Sequence, residues 1–373
     1  MNVLHILDAV NRGGSEILAL DFCRALERYP LKVFLVVMQG GELDDDFRQT
    51  SAKYIKLQRK LPLDFKIILQ LRKIIIENDI QIVHTHQPVE GLHAYFATSL
   101  LKVKKVQTIH GQFQDFKNKI IGKFLNPRMD ANIIVSRGFL QEFCKGINLH
   151  KVENFHVVHN GIDSTKLKPT AMNLKQELGL HAEITLMGMV GNFNKFKDQL
   201  TICRALVTIF KAVPNSRFVF VGQRDDRPPY LYDQCVRYCE EQQIIDKVFF
   251  LGSREEIPDI LNSLDLFVFS SLEDSFGLAV IEAMMMGIPV IAANIPPMIE
   301  VTEAGRFAYL FETGNELDLS DQIIALLKNK NDRQLLSQTA REWAVGQFSI
   351  DSYMQKLIEI YARLLGGARG TSA

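Results

Sequence analysis

The chain has 373 residues, more than one hydrophobic core ordinarily needs and enough for two domains. Hydrophobic residues make up 47% and charged residues 23%, a soluble balance, and a net charge of zero gives no nucleic-acid signature. The charge is uneven, since residues 1–165 hold 22 Lys and Arg against 17 Asp and Glu, and the remainder 21 against 26. Two explanations stay open: chance, or a basic face that meets anionic lipid or an anionic acceptor.

The N-terminus has no basic n-region of a signal peptide, and His5 and Asp8 interrupt its apolar run, which predicts a buried first strand. No stretch reaches the ~18 apolar residues that a membrane span needs. The five cysteines are scattered, and no second pair joins Cys235 and Cys239 to complete a zinc site. These features predict a cytoplasmic protein with reduced thiols, which lies at the inner face of the membrane if the basic face is a lipid contact.

Short apolar runs alternate with helical patterns in residues 1–163. This β-α-β alternation predicts a Rossmann-like domain, a parallel sheet with helices on both faces. The predicted strands are 3–7, 32–38, 81–86, 106–110, 131–135 and 156–159. The predicted helices are 16–28, 65–78, 91–101 and 115–128.

The same alternation restarts near residue 184 and predicts a second Rossmann-like domain over residues 164–349, with a linker at its start. The predicted strands are 184–190, 217–221, 248–251, 266–269 and 289–292, and the predicted helices 197–212, 229–242, 256–263, 276–286 and 317–328. A last helix, 350–365, is predicted to return to the first domain, and the tail 366–373 to be disordered. Because such sheets bind ligands at the carboxyl ends of their strands, two facing domains would form the active site in the cleft between them.

The first motif, Gly13-Gly14-Ser15-Glu16, lies between the first strand and a helix. Paired glycines let backbone N–H groups approach a ligand, and a helix start favours an anion. The loop is not GxGxxG, and the second strand ends in Met38-Gln39-Gly40-Gly41 rather than an acid, which disfavours NAD(P). A plain tight turn is the alternative.

The strongest motif is Asp274-x7-Glu282, which follows the strand 266–269. A helix from about Phe276, with Gly287 as its C′ residue, puts Asp274 before the helix and Glu282 in its second turn. Eight residues span roughly 12 Å, about the distance from a donor sugar to the ribose of a nucleotide diphosphate. Carboxylates accept hydrogen bonds from sugar diols, and the amides at the helix start can hold the diphosphate. The alternative, two acids on a solvated helix face, is disfavoured by the apolar neighbours of Glu282.

This segment resembles the E-x7-E signature of the family 4 retaining glycosyltransferases (glycosyl transferases group 1), and Phe276-Gly277-Leu278 matches the family's apolar-Gly core. The resemblance runs from the first strand to about residue 345 and implies the GT-B fold, two Rossmann-like doubly wound domains facing a central cleft. It implies that Asp274 fixes donor-sugar hydroxyls and that Glu282 holds the ribose. Asp274 replaces the first Glu of the signature, and its neighbour Glu273 stays open as the alternative acid.

The resemblance also assigns residues to the two sides of the cleft. The segment 191–198 is similar to the family's diphosphate clamp, with Lys197 as its Lys, Asn192 in place of its Arg, and Lys195 as a candidate substitute cation. Further donor-side residues are Gly14, Ser253, Arg254, Ser275, Phe276, Gly277 and Leu278. His110 falls at the family's cleft histidine, which makes it catalytic together with Asp274 and Lys197. Gly13, Ser15 and Glu16 fall on the acceptor side, and for His110 a satisfied strand-end histidine is the alternative.

Two patterns raise the question of a metal, and we expect none. His84 and His86 lie two apart on a strand, so both imidazoles point to one side, but no third ligand lies near them in sequence. They are interpreted as polar residues of the acceptor side. The run Asp44–Asp46 is interpreted as a solvated charge run in a surface loop.

The helix predicted at 115–128 has Phe116 and Ile120 on an apolar side and Lys117, Lys119 and Lys123 on a basic side. This is the pattern of a helix that lies in a membrane interface. A helix that packs on its own domain explains it equally well.

The resemblance implies a retaining hexosyl- or N-acetylhexosaminyl-transferase that moves a sugar from a UDP- or GDP-sugar to a hydroxyl of a glycan or lipid-linked acceptor, in bacterial surface polysaccharide synthesis. No cofactor is expected, because Lys197, the helix-start amides and the Gly13-Gly14 loop would neutralise the diphosphate. The expected partners are the donor, the acceptor and an anionic membrane, without nucleic acid. Two alternatives stay open: a nucleotide-sugar epimerase of the same fold, and a non-catalytic sugar-binding protein.

Overall fold

The computed structural model describes residues 1–11, 13–113, 115–147, 154–170, 172–228 and 230–366. The chain divides into two compact units. Met1–Ile162 form the first unit together with the C-terminal helix, and Asp163–Ser349 form the second.

The described strands of the first unit form a parallel sheet in the order β3-β2-β1-β4-β5-β6-β7. They are β1 Asn2–Ala9, β2 Lys32–Gly40, β3 Lys53–Lys56, β4 Ile82–Thr85, β5 Lys104–Ile109, β6 Ala131–Ile134 and β7 Phe155–Val157. The helices are α1 Gly14–Ala25, α2 Asp44–Arg48, α3 Phe65–Glu77, α4 Pro88–Ala97, α5 Phe116–Leu125 and α6 Arg137–Ile147.

The described strands of the second unit form a parallel sheet in the order β10-β9-β8-β11-β12-β13. They are β8 Thr185–Val190, β9 Ser216–Val221, β10 Val248–Phe250, β11 Leu266–Phe269, β12 Val290–Ala293 and β13 Tyr309–Phe311. The helices are α7 Leu174–Glu177, α8 Gln199–Ala212, α9 Leu231–Glu241, α10 Ile257–Asn262, α11 Leu278–Met285, α12 Pro296–Val301, α13 Glu316–Lys328 and α14 Lys330–Phe348. The chain then forms α15, Ile350–Leu364, which packs on α1 of the first unit.

The central strand β1 shows how the first sheet is buried on both faces. Val3 and Leu7 pack in one core with α1 and α15, whereas Leu4 and Ile6 pack in a second core with α3 and α4. This follows from the period of two along a strand. His5 lies on the same face of β1 as Val3 and Leu7, so its side chain faces α1 and α15.

The predicted alternation of strands and helices is confirmed, and several short or polar elements were missed. The missed elements include β3, β13, α6, α12 and the long polar helix α14. The interpretation of Asp44–Asp46 as a solvated surface loop was wrong, because Asp44 and Asp46 begin helix α2 and bind Lys56 and Arg24 respectively. The predicted disordered tail lies outside the described residues from 367 onward.

Within the described part of the chain, every helix is too short or too polar to span a bilayer.

Candidate functional site

Asp274 and Glu282 flank the start of α11 in the second unit. The helix begins at Leu278, two residues later than predicted, because Gly277 caps it with a φ of +82°, in the left-handed region that favours glycine. A Cβ at Gly277 would also overlap the side chain of Met298. Gly287, with a φ of +74°, follows the helix as the predicted C′ residue.

The Asp274 carboxylate lies at the centre of a compact charged site. Its Oδ2 atom is 2.5 Å from Lys197 Nζ, and its Oδ1 atom accepts hydrogen bonds from Phe276 N at 3.0 Å and Gly277 N at 2.9 Å. Burial alone would raise the pKa of Asp274, but the charge of Lys197 and these hydrogen bonds outweigh it and hold the pKa below its usual value. Asp274 is therefore an anion in the ligand-free protein, while its neighbour Glu273 is exposed.

Lys197 forms an ion pair with Asp274, and its ammonium group has two further neighbours. Nζ also lies 3.4 Å from Ser271 Oγ and 4.4 Å from the centre of the Phe269 ring. Only 14% of the Lys197 side chain and 17% of the Asp274 side chain are exposed. An ammonium group has three N–H donors, and these two oxygens use two of them. The third N–H is used by neither oxygen.

The structure changes the expected role of the helix-start amides. The amides of Phe276 and Gly277 donate to Asp274, so Leu278 is the member of the predicted trio whose amide does not bind that carboxylate. First-turn amides have no acceptor within their own helix. Ser275 lies half-buried in the same turn.

Asn192, which replaces the Arg of the family's clamp, connects the loop after β8 to the loop after β9 by a hydrogen bond. Its Oδ1 atom accepts a hydrogen bond from Gln223 N at 2.9 Å. The loop is also held by Gln199, whose Nε2 donates to the carbonyl oxygens of Gly191 and Asn192. A Cβ on Gly222 would overlap the Gly191 carbonyl, so the two loops meet backbone to backbone.

The two basic residues predicted near the nucleotide are placed differently from Lys197. Arg254 makes a bidentate pair with Glu177 at 2.8 and 3.0 Å, and its Nε atom binds Glu256 at 3.2 Å, whereas its neighbour Ser253 is exposed. Lys195 lies 4.9 Å from the centre of the Phe196 ring. The Arg254 guanidinium thus already has carboxylate partners, and the assignment of Ser253 and Arg254 to the donor side stays a prediction.

Glu282 lies on α11 among apolar neighbours. Burial raises the pKa of Glu282 to about 7. Its side chain thus changes charge near neutral pH, which is unusual for a carboxyl group.

The predicted Gly13-Gly14-Ser15-Glu16 loop begins α1, with Gly13 as the N-cap and Glu16 in the first turn. Ser15 Oγ donates to Glu16 Oε2 at 2.8 Å, and the same oxygen lies 2.5 Å from the position of a Cβ on Gly13. A carboxylate in the first turn is favourable at a helix start, and the binding of a ligand anion by this loop stays a prediction.

His110 lines a cavity of about 280 Å³ at the carboxyl ends of β4 and β5. Other lining residues include His86, Gln87, Gln107, Thr108 and Asn118. His110 Nε2 lies 3.1 Å from His86 Nδ1, so the two predicted histidines are in direct contact. Burial lowers the pKa of His110 to about 4, which keeps its imidazole neutral at pH 7.

His84 and His86 have two partners that sequence reasoning did not identify. His86 Nε2 lies 3.2 Å from His5 Nδ1, because β1 pairs with β4 in the register His5 to His84. Tyr361 Oη, on α15, lies 3.1 Å from His5 Nε2 and 2.5 Å from His84 Nδ1. The only signal in the sequence was a histidine inside the apolar run of β1, and nothing local pointed to Tyr361.

Among the described residues, His5, His84 and His86 form a group close enough to hold a metal ion. Each of their ring nitrogens already has a hydrogen-bond partner, the last being Thr108 Oγ1 at 2.7 Å from His84 Nε2. A metal would have to replace several of these bonds.

Glu90 is a further buried residue that the sequence analysis missed. Its carboxylate accepts hydrogen bonds from the backbone N–H groups of Asp8 at 2.6 Å, His86 at 2.7 Å and Gln87 at 2.9 Å. It therefore fixes the backbone on which His86 stands. The signal was the spacing of Gln87 and Glu90, which is that of a capping box at the start of α4.

Both halves of the chain match known families. Residues 12–166 match the family described as Glycosyltransferase Family 4, and residues 172–343 match Glycosyl transferases group 1. The UDP-Gal:alpha-D-GlcNAc-diphosphoundecaprenol alpha-1,3-galactosyltransferase of Escherichia coli is 28% identical over 369 residues, 93% of each chain. The N-acetyl-alpha-D-glucosaminyl L-malate synthase of Bacillus anthracis is 25% identical over 329 residues, 86% of this chain and 84% of the relative.

A solved structure extends the comparison to the fold. HepE (Alr3699) of Anabaena, in complex with UDP and glucose, superposes with a TM-score of 0.83 at 18% identity, over 97% of this chain and 100% of that one. Its likeness supports the two helix-flanked parallel sheets as a GT-B fold. Since both family matches and the fold agree, the chain belongs to the group 1 glycosyltransferases of family 4, and it is a glycosyltransferase.

Proposed function

We propose that this enzyme transfers a hexose or N-acetylhexosamine from a UDP- or GDP-sugar, with retention, to a hydroxyl of a glycan or lipid-linked acceptor in bacterial surface polysaccharide synthesis. The observation that carries the proposal is the anionic Asp274 held against Lys197 at the start of α11, with Glu282 further along the same helix. An ion pair beside the Leu278 amide at the start of α11 suits a ligand that joins hydroxyl groups to a diphosphate. The UDP-Gal donor in the name of the Escherichia coli relative, and UDP in the HepE complex, make UDP-sugars the first donors to test.

The roles follow from charge and hydrogen bonding. Asp274 accepts hydrogen bonds from donor-sugar hydroxyls, while Glu282 accepts them from the ribose diol. Lys197 and the Leu278 amide stabilise the charge that develops on the leaving diphosphate. Retention is what the resemblance of the Asp274-x7-Glu282 segment implies, and the alpha linkage in the name of the Escherichia coli relative supports it.

We expect UDP to bind without a metal ion. Lys197 and the first-turn amides supply the positive potential that Mg²⁺ or Mn²⁺ supplies in other nucleotide sites. Titration calorimetry with UDP in excess EDTA should give the same affinity as titration in Mn²⁺. Loss of binding in EDTA and its recovery with Mn²⁺ would refute metal independence.

We infer that the α3–α5 layer of the first unit meets an anionic membrane surface. Helix α5 packs on its own unit through buried Gly122 and Leu125, yet it leaves Phe116 at 79% and Ile120 at 51% exposure. Exposed apolar side chains of the neighbouring helices and their ends are Phe65, Leu69, Phe96 and Leu100. Lys117, Lys119 and Lys123 of α5 add the positive charge that such a surface attracts.

Sedimentation with vesicles tests this contact. We expect binding to vesicles rich in phosphatidylglycerol, little binding to pure phosphatidylcholine, and a roughly 10-fold loss in the double variant Phe116→Ser/Ile120→Ser. The matched control is Leu317→Ser/Leu335→Ser, which removes two leucines of the second unit that are 66% and 64% exposed. Equal losses in both double variants would contradict a specific membrane face.

The transferase proposal is tested by nucleotide release from UDP-glucose, UDP-galactose, UDP-N-acetylglucosamine and GDP-mannose, with and without a diphospholipid-linked N-acetylglucosamine acceptor. We expect release that depends on both one donor and the acceptor. Donor breakdown that needs no acceptor would instead favour the epimerase alternative, and sugar binding without nucleotide affinity would favour the binding-protein alternative.

A further inference from the structure

Four histidines, one tyrosine and one threonine form a continuous hydrogen-bonded chain inside the first unit. From the cavity inward, the contacts join His110 Nε2 to His86 Nδ1, and His86 Nε2 to His5 Nδ1. Tyr361 Oη then joins His5 Nε2 to His84 Nδ1. Thr108 Oγ1 closes the far end at His84 Nε2. The ring nitrogen that stands outside these contacts is Nδ1 of His110.

The imidazole rings of this hydrogen-bonded chain of side chains are electrically neutral at pH 7. Burial lowers the pKa of His5 to about 3 and of His110 to about 4, and it holds the pKa of His84 and of His86 well below the ordinary value. A neutral imidazole carries one N–H, so a ring with both nitrogens in hydrogen bonds donates at one and accepts at the other. The direction of one bond between His110, His86 and His5 therefore fixes the direction of the others among these three rings. The single proton of the Tyr361 hydroxyl can be donated to His5 or to His84.

The two contacts of the Tyr361 hydroxyl distinguish these two proton orders. Oη lies 2.5 Å from His84 Nδ1 and 3.1 Å from His5 Nε2. Hydroxyl donors make shorter hydrogen bonds than N–H donors do. The order that agrees with this difference has the hydroxyl donating to His84 and accepting from His5. It follows that His5 accepts at Nδ1 from His86, and that His86 accepts at Nδ1 from His110.

We propose that Tyr361, acting through His5 and His86, is a positioning residue that holds His110 in the tautomer protonated on Nε2, so that Nδ1 is a hydrogen-bond acceptor for a hydroxyl group of a ligand in the cavity. The His110 tautomer is set by contacts within the protein, so this part of the proposal does not depend on the proposed sugar transfer. The assignment of the hydroxyl to a sugar or acceptor rests on the proposed function. The C-terminal helix, far away in sequence, thereby decides whether His110 donates or accepts.

Nitrogen NMR of the histidine rings tests the tautomer directly, on the full chain without substrate, deuterated and labelled with ¹⁵N-histidine. His110→Asn identifies the His110 signals. We expect a protonated Nε2 and a bare Nδ1 in the wild type. In Tyr361→Phe we expect both His110 signals to move toward each other, because phenylalanine neither donates nor accepts and the two tautomers mix. The matched control is Tyr353→Phe, which removes another buried hydroxyl of α15. Tyr353 is not part of the hydrogen-bonded chain of side chains, so this variant should leave the His110 signals unchanged.

A second variant acts from the opposite end and does not touch α15. Thr108→Val removes the acceptor for His84 Nε2–H. His84 then forms one more hydrogen bond with its proton on Nδ1, where Tyr361 Oη accepts it. The Tyr361 hydroxyl is thereby free to donate to His5, which reverses the donor and acceptor roles in His5, His86 and His110. We expect the His110 population to shift toward the Nδ1–H tautomer, a change that loss of packing would not produce. A wild-type His110 protonated on Nδ1, or a Tyr361→Phe spectrum equal to that of the wild type, would overturn the proposal. So would stoichiometric zinc in the purified protein, because the rings would then be metal ligands.

Kinetics supply an independent readout once a donor is known. Tyr361→Phe should lower kcat about two-fold or more, since part of the population holds the wrong tautomer, with the KM for the nucleotide sugar unchanged. If no donor were turned over, the proposed function would fail while the NMR result stood. If the wild type were active and Tyr361→Phe kept its kcat, the positioning role would be overturned.

Discussion

Asp274→Asn is expected to slow sugar transfer roughly 30- to 1,000-fold, because a charge-assisted hydrogen bond in the transition state is worth about 2–4 kcal/mol. Asp274→Glu should keep partial activity, since it retains the charge. The exposed neighbour provides the control, and Glu273→Gln should turn over like the wild type. If Asp274→Asn were fully active and Glu273→Gln slow, the signature would be shifted by one residue.

The ion pair with Lys197 adds an expectation about stability. Asp274→Asn leaves the Lys197 ammonium, whose side chain is 14% exposed, without its carboxylate partner. We expect each of Asp274→Asn and Lys197→Met to lower the free energy of unfolding by about 1–3 kcal/mol, and the double variant to lose less than the sum. Denaturant unfolding of the four proteins completes this cycle. Strict additivity would mean that the pair contributes no coupling energy.

Glu282→Ala is expected to weaken UDP binding roughly 30- to 1,000-fold, because the ribose diol loses a charged acceptor worth about 2–4 kcal/mol. The contrasting variant is His110→Ala, which should lower turnover and change nucleotide affinity much less, since His110 lies in the other unit. Calorimetric titration with UDP separates the two effects. A Glu282→Ala protein with wild-type affinity would contradict the ribose assignment.

The same residue predicts a pH dependence of donor binding. Burial raises the pKa of Glu282 to about 7, so the free protein holds a protonated carboxyl below that pH. Ribose hydroxyls favour the ionised form, so binding releases a proton, and affinity should rise with pH up to about 7 and level off above it. UDP-glucose is the suitable probe, because its phosphates do not titrate in this range. Glu282→Gln should remove the dependence.

The sequence predicted most of the fold because both sheets are built from short apolar strands with amphipathic helices between them. Elements that are short or polar were missed for a physical reason. β3 contributes four residues at a sheet edge, and α14 has a polar sequence from which only Ala340, Ala344 and Phe348 are buried. The start of α11 was placed too early because a left-handed Gly277 ends the preceding turn.

The residues of the candidate site that belong to a sequence motif could be predicted. The contacts between segments that are distant in sequence could not. Asp274, Glu282 and Lys197 stand out by spacing and by resemblance, but the use of the Phe276 and Gly277 amides by Asp274 depends on the geometry of the turn. Tyr361 is 277 residues from His84 in sequence, and only tertiary packing of α15 brings them together. No local pattern carries such a contact.

Retaining transfer from a nucleotide sugar is tested most directly by the anomeric configuration of the product. The enzyme is incubated with the UDP-hexose that gives acceptor-dependent nucleotide release, and the anomeric proton of the new linkage is followed by ¹H NMR from the first turnovers. UDP-hexoses such as UDP-glucose and UDP-galactose carry an α bond, so we predict an α-linked product. A β-linked product, or UDP release without any new glycosidic bond, would contradict the account.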